Sequence, residues 1–137
     1  MPRARVVIVE DNRLFRETLE LLLALRDEIE VVAGVGTGAV TIASRDVETN
    51  GVAIRKGEWL GLADGLPVAG GGSFDDVARA VAALLLERPR GILTLLTGEE
   101  PQPIDALVAE IAAAHAELEL DVREGGQPSY PLLLGAE

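Results

Sequence analysis

The chain has 137 residues, enough for one buried core, and no cysteine, which excludes disulfides and thiolate metal sites. Its formal net charge of −11 sets the surface against polyphosphate backbones and anionic membranes, so neither nucleic acid nor membrane is an expected partner. Aromatic residues make up only 3%, so Ala, Val and Leu must build the core in place of a ring-lined cofactor cavity.

The first apolar run, 5–9 (RVVIV), is β-branched and short, as a buried parallel strand requires. It is too short for the apolar part of a secretory leader, and no stretch approaches the ~20 apolar residues of a membrane span. The chain therefore reads as cytoplasmic. Residues 12–26 have helical period, with Asp11 or Asn12 as N-cap and a stripe at Leu14, Phe15, Thr18, Leu19, Leu22 and Leu25. Residues 29–33 read as a second strand, which completes a β-α-β opening.

Beyond the glycines at 34, 36 and 38 the pattern changes. GVGTGA is a weak match to a dinucleotide fingerprint and reads as a connecting turn. Residues 38–47 read as a strand, 48–51 as a turn, and 58–63 as a strand. Asp64-Gly65 is a hairpin signal before a return at 67–70, and the glycines at 70–72 read as a turn. Ser73 is a good N-cap for a helix running to about Glu87, with Asp75 and Asp76 in its first turn. Residues 91–96 read as a buried strand. A helix follows over 103–115, with its stripe at Ile104, Leu107, Val108, Ile111 and His115. Strands are expected at 118–123 and 130–134. The fold class is α/β: a β-α-β opening, then a hairpin or meander and β-α-β-α-β-β, giving a mixed sheet with helices packed on it in one compact domain over 1–137.

From Gly38 onward the chain resembles the C-terminal region of the fatty acid kinase A subunit and its dihydroxyacetone-kinase-like relatives. The resemblance is carried by GAVTIASRDVETNGVAIRKGEWLGLADG at 38–65, ILTLLTGEE at 92–100 and LELDVREGGQPSYPLLLGAE at 118–137. It implies a module that docks a separate fatty-acid-binding protein. The ATP- and magnesium-binding domain of that family has no counterpart here, so no catalytic residue and no cofactor carry over. Arg45 and Asp46 read either as a surface ion pair or as a partner-facing loop. Gly125, Gly126, Gln127 and Tyr130 in GGQPSYP read either as a rigid bend that sets the last strand or as a docking loop.

Residues 4–33 resemble instead the start of a response-regulator receiver domain. In that reading, Glu10 and Asp11 at the end of the first strand would hold Mg²⁺, and Asp64 would be the phosphoacceptor, with Thr97 nearby. The lysine such a site needs is missing, because the only lysine is Lys56, upstream of both. The two resemblances divide the chain into a receiver-like segment at 1–36 and a kinase-tail-like segment at 37–137, as in a chimera. His115, the only histidine, reads as structural. Three readings follow: a non-catalytic interaction module, monomeric or weakly dimeric; a receiver-like domain with an incomplete site; or a fusion of fragments with no activity.

Overall fold

A computed structural model describes residues 3–6, 8, 12–31, 35–49 and 51–137. The β-α-β opening is present. Strand β1 (Ala4–Val6) pairs in parallel with β2 (Ile29–Val31), and α1 (Arg13–Ala24) connects them. Asn12 caps α1, its side chain accepting the Phe15 N–H at 3.0 Å. This unit meets the rest of the molecule through an Arg5–Glu137 ion pair at 3.2 Å and a hydrogen bond from Arg16 to the Thr37 hydroxyl at 3.4 Å.

The main sheet has six strands in the order β7-β6-β3-β10-β8-β9. These are β3 (Gly36–Ile42), β6 (Trp59–Ala63), β7 (Leu66–Gly71), β8 (Ile92–Thr97), β9 (Glu119–Glu124) and β10 (Leu132–Ala136). The sheet is mixed: β8 and β9 run parallel across a helical crossover, and the other pairs are antiparallel. The last strand, β10, is inserted between β3 and β8. A small hairpin, β4 (Val47–Thr49) and β5 (Val52–Ile54), forms a separate two-stranded sheet, with Gly51 at φ 74° in its turn.

Several boundaries differ from the sequence reading. Strand β3 begins at Gly36, two residues before the expected start at Gly38, so both glycines belong to the strand. They are glycines because α2 (Phe74–Leu85) lies directly on them: a Cβ on Gly38 would stand 2.6 Å from Val81. Strand β3 also ends at Ile42, which leaves Arg45 and Asp46 in the loop beyond it. Gly70 and Gly71 close β7 instead of forming a turn, and β5 went unread.

Helix α2 starts as expected. The Ser73 side chain accepts the Asp76 N–H at 3.3 Å, and Asp75 and Asp76 occupy the positive end of the helix. Its buried side, Val77, Ala78, Val81 and Leu85, meets Val40, Leu93, Leu95, Leu132 and Leu134 of the sheet. Helix α3 (Asp105–Ala114) adds Leu107 and Ile111 to the same core. At the edge of that core, Trp59 and Phe74 pack edge-on, with ring centroids 5.1 Å apart. His115 is exposed at the end of α3, where its backbone N–H donates to the Ile111 carbonyl. No helix among the described residues is long and apolar enough to cross a membrane.

Arg79 joins the two helices on their outer side. Its guanidinium donates to both Glu110 oxygens, at 2.7 and 3.0 Å, and to Asp76 at 3.0 Å. The hydrogen bond from Arg79 holds the Glu110 carboxyl below its ordinary range. A depressed folded-state pKa stabilises above the unfolded-state value and is lost as pH falls through the folded one. A ¹³C titration of the Glu110 carboxyl is expected to show an acid-shifted midpoint that returns toward normal in Arg79→Gln. The pair is solvent-exposed, so Arg79→Gln should lower the melting temperature by no more than about 2 °C.

Candidate docking groove

Neighbouring residues on a strand face opposite sides of the sheet, and this alternation locates the groove. Gly61 faces α2, with Val77 and Val81 against it. Leu60 and Leu62 therefore face the side away from the helices. Their register partners Thr41 and Ala39 on β3 share that face, and Leu133 on β10 and Leu96 on β8 continue the row.

Two walls rise from this face. On the β7 side, Gly70 lies opposite Leu60, and the buried Ile54 of β5 covers it. A Cβ on Gly70 would collide with the Ile54 side chain, so this glycine lets the β4–β5 hairpin fold down onto the sheet. Asp46 steadies the same wall by accepting the Lys56 N–H at 2.8 Å. Arg45 and Asp46 are exposed and, among the described residues, make no ion pair with each other, so the paired reading is not what the structure has.

The opposite wall is the 125–131 segment. Gly125 and Gly126 both donate to the Thr97 carbonyl, at 2.9 and 3.0 Å, and Gly126 has φ 68°. Glu99 N–H donates to the Gln127 carbonyl, and Gly98 N–H to the Pro131 carbonyl. The Gln127 amide points inward, its Nε2 donating to the Leu96 carbonyl at 3.0 Å and the Tyr130 carbonyl at 2.9 Å. The Thr41 hydroxyl donates to the Ser129 carbonyl, tying the bend to the sheet face. The bend is therefore rigid. It also lines the depression.

Between the walls lie two adjoining depressions. One, of about 860 Å³, is bounded by Thr41, Ile42, Glu99, Gln127, Tyr130 and Pro131. The other, of about 540 Å³, is bounded by Arg45, Asp46, Val47 and Glu48. They share Ser44, Leu60 and Leu62 as a common floor. The groove thus brings together Arg45 and Asp46 with Gln127 and Tyr130, some 80 residues away along the chain. The sequence reading missed the floor itself. Its signal was the alternation of WLGLA, where two leucines flank the one residue that α2 requires to be glycine.

The receiver-type residues do not form a constellation in the described part of the structure. Glu10 and Asp11 lie outside the described residues. Asp64 lies in the two-residue turn between β6 and β7, with φ 49° at Asp64 and 81° at Gly65. Its carboxylate accepts the Thr37 N–H at 2.9 Å and the Thr37 hydroxyl at 3.3 Å, and so pins the start of β3. The Thr97 hydroxyl donates to the Arg123 carbonyl at 3.4 Å. No group of three acidic or histidine side chains suited to a metal ion occurs among the described residues.

Residues 12–137 match the family model for the C-terminal region of FakA-like proteins, those similar to the A component of fatty acid kinase. The chain belongs to this family. The match begins in the cap of α1 and runs unbroken through 34–40, so one family accounts for α1 and β2 as well as for everything after Gly38. An uncharacterized protein of Staphylococcus haemolyticus is 36% identical over 108 residues, covering 75% of this chain and 19% of that protein. An uncharacterized protein of Staphylococcus epidermidis is 28% identical over 130 residues, covering 92% of this chain and 24% of that protein. Protein YloV of Bacillus subtilis is 26% identical over 111 residues, covering 80% of this chain and 20% of that protein. The chain spans about a fifth of the length of the curated relatives it matches.

Proposed function

We propose that this member of the FakA-like C-terminal family is a non-catalytic docking module whose groove receives a protein partner. One observation carries the reading. The two segments with a partner-facing reading in the sequence, around Arg45 and around Gln127, line adjoining depressions over one apolar floor. The partner class is the fatty-acid-binding protein that the family resemblance implies. The setting is the cytoplasm, where such a kinase system works on acyl groups. The reaction itself belongs to the nucleotide-binding part of such a system, and this chain contributes recognition.

The groove suits recognition better than chemistry. Its floor is Leu60 and Leu62 beside Ser44, its walls are fixed by backbone hydrogen bonds, and the carboxylates and Tyr130 are on its rim. Leu60 is half-buried on the floor shared by both depressions and is the natural anchor for a partner's apolar side chain.

Calorimetric titration with an acyl-loaded fatty-acid-binding protein of the family's kinase system tests this. Leu60→Glu is expected to weaken binding at least ~10-fold, since it places a charge on the apolar floor, with circular dichroism checking that the fold is kept. Leu84→Glu, on the exposed side of α2, should leave binding unchanged. Equal binding by the wild type and a folded Leu60→Glu would remove the groove from the interface. Measurable ATP binding by the chain alone would overturn the non-catalytic assignment.

A further inference from the structure

The apolar stripe of α1 is outside the core. Leu14, Phe15, Leu21, Leu22 and Leu25 are 75, 54, 72, 58 and 81% exposed. The helix turns Arg16, Leu19 and Leu23 inward instead, and these are half-buried. We propose that the outward stripe joins two copies of this chain through an antiparallel α1–α1 contact on a two-fold axis. This surface is distinct from the groove and does not depend on its function.

The spacing of the stripe fits that occupant. Leu14, Thr18, Leu21 and Leu25 recur at intervals of four, three and four, the spacing of a helix–helix seam, with Phe15 and Leu22 along one flank. In an antiparallel pair, Leu14 of one copy meets Leu25 of the second, and Thr18 meets Leu21. The seam pairing closes on itself, as an isologous interface requires, while Phe15 and Leu22 cover its flank. Thr18 is the one polar residue in the seam. Its hydroxyl already donates to the Leu14 carbonyl at 2.8 Å, so burying it leaves no donor unsatisfied.

Area and charge agree. The five side chains offer on the order of 600 Å² per copy, near the lower limit for a specific dimer and at the top of what a monomer usually exposes in one patch. The chain carries −11 overall, which opposes self-association. On α1, however, Arg13 pairs with Glu17 at 2.8 Å and the inward Arg16 offsets Glu20, so this helix adds no net charge to an acidic protein.

Sedimentation equilibrium of the full chain tests the proposal. The expected result is a dimer with a Kd on the order of 10 µM that tightens as salt rises, because salt screens repulsion between two like-charged copies. Leu21→Glu combined with Leu22→Glu should weaken it at least ~10-fold. Circular dichroism should be unchanged, because both side chains are exposed. The chain has no cysteine, so orientation can be read by mild oxidation of introduced ones. A Leu14→Cys chain should cross-link to a Leu25→Cys chain, and neither to itself. A wild-type monomer at several hundred micromolar would overturn the proposal, as would a dimer indifferent to the double substitution. Self-cross-linking of Leu14→Cys would overturn the antiparallel geometry.

Discussion

Replacing Gly98 by alanine is expected to lower the melting temperature by about 10 °C, equivalent to about 3 kcal/mol. Gly98 is buried at the end of β8, where the chain passes beneath the 125–131 bend. A Cβ there would collide with the Tyr130 carbonyl oxygen and stand 3.0 Å from the Gln127 carbonyl oxygen. Both are backbone atoms, so no rotamer change relieves the collision. Hydrogen bonds at Gly98, Glu99, Gly125 and Gly126 hold the two segments together, so the bend can yield only by giving some of them up. Thermal unfolding monitored by circular dichroism checks the magnitude. Gly72→Ala is the control: a Cβ at Gly72 meets nothing within 4 Å, and the change should move the melting point by no more than about 2 °C. If Gly98→Ala melts like the wild type, the close approach of the two segments is wrong. The wall of the groove built on it would then be wrong as well.

The parts of this structure that are legible in the sequence are those fixed by neighbours along the chain. Ser73 three residues before Asp76 is a cap, and Asp64-Gly65 between two apolar runs is a hairpin turn. The apolar period of α3 places Ile111 in the core. These devices act within four residues, which is the range over which a sequence pattern carries information. Gly38 and Gly61 show the limit. Read locally, a glycine in a strand weakens it, so GVGTGAV looks like a turn. In the fold each one admits a helix whose approach depends on residues 77–85, far along the chain.

The same limit governs the order of the sheet. The place of β10 between β3 and β8 rests on pairings such as Leu134 with both Gly38 and Leu95, which no local period encodes. The stripe of α1 is the complementary case. Its period identifies a helix, but Leu19 of the expected stripe turns inward, Leu21 joins the outward side, and the period does not say what that side touches. The groove was half legible: the motif residues at 45–46 and 125–130 drew attention, while the floor that unites them depends on strand register. Asp64 was legible as a turn residue, and its carboxylate is used in holding Thr37.

The second large effect is expected from Gln127→Glu, a change that preserves size and shape. In the wild type the Gln127 Nε2 donates to two carbonyls, Leu96 at 3.0 Å and Tyr130 at 2.9 Å. An ionised carboxylate in the same place has no proton to donate and sets a negative oxygen against two others. The expected loss at pH 7 is about 2–3 kcal/mol, combining two lost hydrogen bonds with the repulsion that replaces them. Protonation restores one donor, so the introduced carboxyl should titrate above its ordinary value in the folded state. A raised folded-state pKa means the native protein binds the proton more tightly than the unfolded chain. The part of the penalty that comes from ionisation is then absent below the unfolded value, near pH ~4.3, and complete above the folded one, while one lost hydrogen bond remains throughout. The variant should therefore recover stability relative to the wild type as pH falls from 7 to 4. Gln127→Ala lacks the carboxylate and should show a loss that does not change with pH. Urea unfolding of the three proteins across that range checks both magnitude and sign. A Gln127→Glu deficit that is flat or grows toward acid would mean that the side chain does not face the Leu96 and Tyr130 carbonyls. The rigidity attributed to the groove wall would then need another source. If the deficit closes toward acid, the same variant becomes a tool. Partner binding should weaken at neutral pH and recover at low pH in step with the bend, separating the contribution of a fixed wall from that of the apolar floor beneath it.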